Sequence, residues 1–245
     1  MTASTLSSAA TDVGFSREKN EDAFYANDEI GLFVVADGIG GAPRGEIASA
    51  LAVSAMVDFA AMGRPAGVGL DVFVRDAVMA AHQRVFAANA ESPDSLAMGT
   101  TVCAVVVSGR HFAFAGVGDS RCYLYYCSGG RKLLKQISRD DTVATVLLDK
   151  GLPASLVRRS DRSTLTQAIG LRVPAGPHVA SGLMEPGDAL VLCTDGITDY
   201  MPDDAFRELI FSYAGDPDVL VREMIRRALA SGGYDNCTCI CVLAK

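Results

Sequence analysis

The residues best suited to chemistry in this chain are acidic, and they recur at the ends of apolar runs. Leu32 to Ala36 is a continuous stretch of branched and aromatic residues that reads as a strand buried on both faces, and it stops at Asp37-Gly38. Leu190 to Cys193 ends in the same way, at Thr194-Asp195-Gly196. Glu21-Asp22 opens another strand, Asp235-Asn236 immediately precedes the last one, and Asp119 sits in a Gly118-Asp119-Ser120-Arg121 turn. Taken alone, Asp37 could equally cap a helix starting near Pro43. The repetition over the whole chain favours one site assembled by the fold. No histidine or cysteine belongs to any of these motifs, so the donor set suits hard, oxygen-seeking cations such as Mg²⁺ or Mn²⁺ and disfavours zinc.

The elements that must position these residues can be read from periodicity. Thr11 to Phe15, Asp22 to Tyr25 and Gly31 to Ala36 read as strands, followed by two segments of helical spacing, Glu46 to Met62 and Leu70 to Ala90. Thr100 to Val107, Phe112 to Val117, Arg121 to Cys127 and Lys132 to Ile137 are short strands joined by glycine turns, the signature of antiparallel hairpins. An irregular, flap-like excursion spans residues 139–170, with a helix near Thr142 to Lys150. Strands at Val179 to Leu183 and Asp188 to Cys193, helices at Asp203 to Tyr213 and Pro217 to Ala230, and a strand at Cys237 to Leu243 complete the chain. This order lacks the alternation of a parallel doubly wound fold. An α+β architecture, two antiparallel sheets packed together with a helix pair outside each, buries every apolar face. We expect a single domain over residues 11–245 and a loose tail over residues 1–10.

Composition excludes several classes of function. At 245 residues, 49% of them hydrophobic, the chain can bury a large core. A net charge of −7 and the absence of any long basic run argue against a nucleic-acid partner. The sequence contains neither a signal-peptide pattern nor an apolar run long enough to span a membrane, which predicts a cytoplasmic, monomeric protein without a membrane partner. Seven cysteines without a framework spacing fit reduced thiols. Cys237, Cys239 and Cys241 alternate on one face of the last strand and read as small apolar filler.

Six motifs in order carry a resemblance. Gly14 to Arg17 with Asn20-Glu21-Asp22, Val35 to Gly41, Met98 to Thr101, Gly118 to Arg121, Thr194 to Gly196 and Asp235-Asn236 together resemble the metal-dependent protein phosphatases, the type 2C serine/threonine family, in its bacterial single-domain form. The resemblance implies an α/β/β/α sandwich. It also implies a serine/threonine phosphatase acting on phosphorylated proteins and opposing a serine/threonine kinase. Asp37, Asp195 and Asp235 would be carboxylate ligands of two Mn²⁺ or Mg²⁺ ions, the Gly38 carbonyl a backbone ligand, and Glu21 and Asp22 neighbours in and around the ligand set. Arg17 would grip the substrate phosphate, and Asp119 with Asp195 would hold a third ion. The implied chemistry is in-line attack on phosphorus by a metal-bridging hydroxide.

Two departures bear on mechanism. Ile39 and Ala42 stand where some members have a histidine able to protonate the leaving alkoxide, and His82, His111 and His178 lie outside the motifs. In the excursion, Asp140-Asp141 and Ser160-Asp161 replace the usual Asp-His and His-Pro pairs. The rival reading is a non-catalytic pseudophosphatase of the same fold, which would be expected to have lost acidic positions that this chain retains.

Overall fold

The computed structural model describes residues 4–39, 44–90, 97–172 and 176–245. The chain runs through β1 (Thr5–Asp12), β2 (Asp22–Asn27), β3 (Leu32–Asp37), α1 (Gly45–Ala61), α2 (Leu70–Ala90), β4 (Val102–Ser108), β5 (His111–Val117), β6 (Arg121–Ser128) and β7 (Arg131–Gln136). It continues through α3 (Val143–Asp149), a 3-10 turn, α4 (Arg159–Ser163), β8 (His178–Leu183), β9 (Ala189–Cys193), α5 (Asp195–Thr198), α6 (Asp203–Tyr213), α7 (Pro217–Ala230) and β10 (Cys237–Ala244). One sheet has the order β1-β10-β9-β6-β7 and the other β2-β3-β4-β5-β8, with every pairing antiparallel. The architecture is the expected α/β/β/α sandwich.

Three apolar layers follow from the period-2 alternation of the central strands. Phe33 and Val35 of β3 face Leu190, Leu192, Ile240 and Val242 across the space between the sheets. Leu32, Val34 and Ala36 point the other way, onto Ala48, Ala52 and Met56 of α1 and Val74 and Val78 of α2. This explains why the run before Asp37 is continuous rather than alternating. The small residues of α1 let it lie close to the sheet. On the opposite side Val191, Cys193, Cys239 and Cys241 pack under Leu209, Ile210, Leu220 and Met224 of α6 and α7. The cysteine stripe of β10 is therefore core filler; all seven thiols are free.

The N-terminus departs from the expected loose tail and from a strand at Thr11 to Phe15. From Thr5 the backbone is a strand, registered with β10 from Thr5↔Ala244 to Asp12↔Cys237, and it ends before a turn at Gly14 (φ 74°). Its Ser, Thr and Ala residues show no apolar alternation, so the signal lies in the partner: β10 is a core strand whose outer edge needs hydrogen-bonding groups. Asp28 adds a side-chain clip, accepting from Thr5 Oγ1 at 2.6 Å and from Ser7 N–H and Oγ at 3.1 and 2.9 Å. The four-residue α5 was not foreseen either, because it is one turn starting at the functional aspartate itself. Gly40, Gly41, Ala42 and Pro43, including the expected helix start, lie outside the described residues.

Residues 139–170 leave the first sheet after β7 and carry α3, the 3-10 turn at Ala154–Leu156 and α4. Their ends meet: Val143 N–H donates to Thr164 O at 2.9 Å, and Thr142 bridges Leu165. Among the described residues no helix is long and apolar enough to cross a membrane. Replacing Asp28 with Ala removes the clip and leaves the Thr5 and Ser7 donors without their acceptor. We expect a loss of about 1–3 kcal/mol in urea unfolding, with faster amide exchange confined to β1.

Candidate active site

The acidic strand ends converge at one end of the sandwich. A cleft of about 180 Å³ is lined by Asp37 from the end of β3, Asp119 after β5, Asp195 after β9 and Asp235 before β10, with Arg17 at its edge. Ile39 and Thr101 form part of the wall, and Ser163 and Leu165 bring the excursion to it. Five of the residues singled out from sequence are thus brought together. Glu21, Asp22 and Gly38 stand beside or behind this cleft rather than lining it.

Local chemistry fixes each position. The backbone of Asp37 is locked by Thr101, whose Oγ1 accepts from Asp37 N–H at 3.0 Å, while Asp37 O accepts from Thr101 N–H and Thr100 Oγ1, both at 2.8 Å. Thr101 Oγ1 lies 2.7 Å from Ser120 Oγ and so ties Asp37 to the Asp119 turn. Gly38 follows because no side chain fits: a Cβ there would lie 2.3 Å from Gly45 O and 2.8 Å from Glu21 O. Asn236 accepts from Glu21 N–H at 2.8 Å and donates to Val13 O and Lys19 O at 2.9 and 3.0 Å, which pins both ends of the loop carrying Arg17. Arg17 Nη2 in turn pairs with Asp235 Oδ2 at 2.8 Å.

Asp22 stands directly opposite Asp37 in the β2–β3 register, a placement that like charges disfavour. Its Oδ2 accepts from Thr194 Oγ1 at 2.9 Å, just past the end of β9, and from Thr238 Oγ1 at 2.6 Å in β10 of the other sheet, whereas its Oδ1 is buried with no hydrogen-bond partner. Burial, offset in part by the two threonine hydroxyls, pushes the Asp22 carboxyl up to about 6. Burial and then the charges of Asp195, Asp22 and Asp119 raise Asp37 well above the carboxylate range. Asp195 is raised likewise by burial, Asp119 and its other acidic neighbours. Asp119, 8% exposed, is pushed to about 7, first by burial and then by Asp140 and Asp199.

No histidine lines the cleft. His82 Nδ1 accepts from Gly170 N–H, His111 is exposed at the start of β5, and His178 Nε2 lies 2.8 Å from Asp141 Oδ1. Asp141 is a junction that sequence reasoning missed, although its place in an unusual Asp-Asp pair was visible. It accepts from Gly118 N–H at 3.0 Å and Gln167 Nε2 at 3.0 Å, and its own backbone bonds Gly118 O and Thr166 N–H. Thr194 was seen only as part of a motif, and Thr238, buried in the last strand, gave no signal at all.

A family model described as "Protein phosphatase 2C" matches residues 16–218. The chain belongs to the protein phosphatase 2C family. It is 34% identical over 239 residues to the serine/threonine protein phosphatase PstP of Mycobacterium tuberculosis, covering 95% of this chain but 43% of that protein's length. A putative protein phosphatase 2C-type protein of Streptococcus pyogenes is 30% identical over 94% of both chains. The crystal structure of the catalytic domain of PstP in complex with two manganese ions superposes with a TM-score of 0.82 at 30% identity, covering 98% of this chain and 97% of that one.

The donor set fits such ions. Positive charge bound in the cleft would relieve its crowded, buried carboxylates, whose pKa values are raised, and Asp22 Oδ1 behind them is buried with no hydrogen-bond partner of its own. Among the described residues no three His, Cys, Asp or Glu side chains form a ready cage for one ion. Mg²⁺-like ions take one or two protein carboxylates each and keep several waters.

Stability of the metal-free protein should therefore depend on pH in a definite sense. The raised groups bind protons more tightly folded than unfolded, where an aspartate titrates near 3.9, so the stability they lend at low pH is lost as pH rises through about 6 to 7. In chelator, Tm should be higher near pH 5.5 than near pH 8, and millimolar Mn²⁺ should raise Tm most at the higher pH. Equal Tm at both pH values in chelator would show that the carboxylates are not in conflict.

Proposed function

We propose that this chain is a metal-dependent protein serine/threonine phosphatase that hydrolyses phosphoserine and phosphothreonine in proteins and opposes a serine/threonine kinase. The observation that carries the reading is the cleft in which Arg17 faces Asp37, Asp195 and Asp235, each delivered by a different strand end. The curated PstP relative is more than twice as long as the part matched here, so the assignment concerns the activity of this domain. Seven free thiols suit a reducing, cytoplasmic setting.

Asp37, Asp195 and Asp235 would hold two divalent ions with the Gly38 carbonyl, and Asp119 would join Asp195 at a third. Bound Mn²⁺ or Mg²⁺ supplies charge neutralisation and a water made acidic enough to attack phosphorus at neutral pH. Arg17 orients the phosphate: only Nη2 is bonded to Asp235, and its planar fork offers further N–H donors to non-bridging oxygens. Thr101 and Asn236 hold Asp37 and the Arg17 loop so that neither must reorganise when substrate arrives. Asp22 acts from behind, joining the sheets under the cleft.

Hydrolysis of p-nitrophenyl phosphate and of a phosphopeptide should require Mn²⁺ or Mg²⁺ and disappear on exhaustive chelation; chelator-resistant turnover would refute the reading. Asp37→Asn, Asp195→Asn and Asp235→Asn should each lower kcat by orders of magnitude in a folded protein. Arg17→Ala should act mainly on KM, by roughly 1.5–3 kcal/mol.

Because no histidine lines the cleft, kcat should fall steeply as the leaving group becomes more basic. Asp119→Ala should steepen that dependence. Parallel slopes for wild type and variant across substituted phenyl and alkyl phosphates would remove Asp119 from leaving-group protonation.

A further inference from the structure

Two large aromatic side chains close in sequence to cleft residues stand mostly in water. Phe15 is 73% exposed and Tyr234 54% exposed. Phe15 lies two residues before Arg17 and Tyr234 immediately before Asp235, so the two rings are carried on the segments that supply both members of the ion pair at the cleft edge. Each ring rests on a glycine. A Cβ on Gly233 would lie 2.8 Å from Cδ2 of Phe15, and one on Gly232 would lie 2.1 Å from Cε2 of Tyr234; both glycines also have positive φ, 54° and 128°. Phe15 N–H donates to Gly233 O at 2.7 Å, which locks the two segments together.

The wall continues to the flap. The rings of Tyr234 and Tyr200 are 5.1 Å apart and tilted by 44°, and the Arg159 guanidinium of α4 lies 5.7 Å over Tyr200. Ser163, the last residue of that helix, returns to the cleft. Phe15 thus has Gly233 beneath it and Tyr234 has Gly232 and Tyr200 beside it, while more than half of each residue stays exposed. Two large rings left in solvent gain little from folding but offer a large contact area to a bound chain.

We propose that Phe15 and Tyr234 form a subsite for a large apolar side chain adjoining the phosphoresidue of a protein substrate. The inference rests on the phosphatase reading above and adds a sequence preference to it. A phosphate gripped by Arg17 leaves the neighbouring substrate residues about 3.3–3.6 Å of chain per residue away, and the rings are carried one and two residues from the ion pair. The continuity of the wall with the cleft favours a flank of the same peptide over a separate partner. Its apolar faces favour a leucine-like or aromatic side chain over a charged one.

The test compares two phosphoserine peptides, one with Leu and one with Ala on each side of the phosphoserine, in Mn²⁺. Wild type should favour the Leu peptide by roughly tenfold in kcat/KM, chiefly through KM, as expected for partial burial of one such side chain. Phe15→Ser and Tyr234→Ser should each shrink that ratio and the double variant should bring it near unity, while Tyr234→Phe should preserve it. A wild-type enzyme that turns over both peptides equally overturns the proposal, and this needs no variant. A preference that survives the double variant also overturns it, by placing the selectivity elsewhere. If wild type hydrolyses neither the peptides nor p-nitrophenyl phosphate, the phosphatase reading itself falls, and the subsite with it.

Discussion

Mutual repulsion among carboxylates is the constraint around which this fold is arranged. Burial raises Asp22, Asp37, Asp119 and Asp195, and neighbouring carboxylates raise each of them further, so such groups coexist in a folded chain only where the scaffold holds them against separation. The scaffold here is the pair of sheets. Asp22 belongs to β2, and the hydroxyls that hold it come from Thr194, just past the end of β9, and Thr238 of β10, so two hydrogen bonds tie it to the other sheet. The apolar layer of Phe33, Val35, Leu190, Leu192 and Ile240 supplies the cohesion that sets these hydroxyls against the acid.

Placing the acids at strand ends resolves a second conflict. Within a strand, a carboxylate on either face of β3 would meet the core, since Leu32 to Ala36 are fully buried. One residue further on, the chain emerges from the sandwich, and the carboxylate is held by a rigid backbone while still opening toward water. The same geometry serves Asp119, Asp195 and Asp235. Backbone stiffness therefore reaches the site without the site entering the core.

Most of this was legible in the sequence, and the exceptions share a cause. The apolar runs, the two long helices and the acidic turns are local signals, and Asp37, Asp119, Asp195, Asp235 and Arg17 do meet in one cleft. β1 was missed because its Ser, Thr and Ala residues carry no period; it exists through register with β10 and through the Asp28 clip. Thr238 and Asp141 were missed for the same reason. Their roles are defined by partners over 20 residues away in sequence, and a threonine in a strand or an acid in a loop announces nothing by itself. Asn236 stood beside a recognised acid, yet its task of pinning the Arg17 loop became visible only in three dimensions.

The excursion between β7 and β8 closes on itself: Thr142 bridges Leu165, Val143 bonds Thr164, and Asp141 clamps Thr166 and Gln167 to the Gly118 turn. Everything from Val143 to Thr164 is consequently a cassette whose two attachment points are already joined. Lengthening such a segment costs only about 0.6 kcal/mol of closure entropy per doubling, and no carboxylate need shift to accommodate it. A lineage can therefore exchange the cassette, and with it whatever the mouth of the cleft admits, while inheriting the acidic floor unchanged.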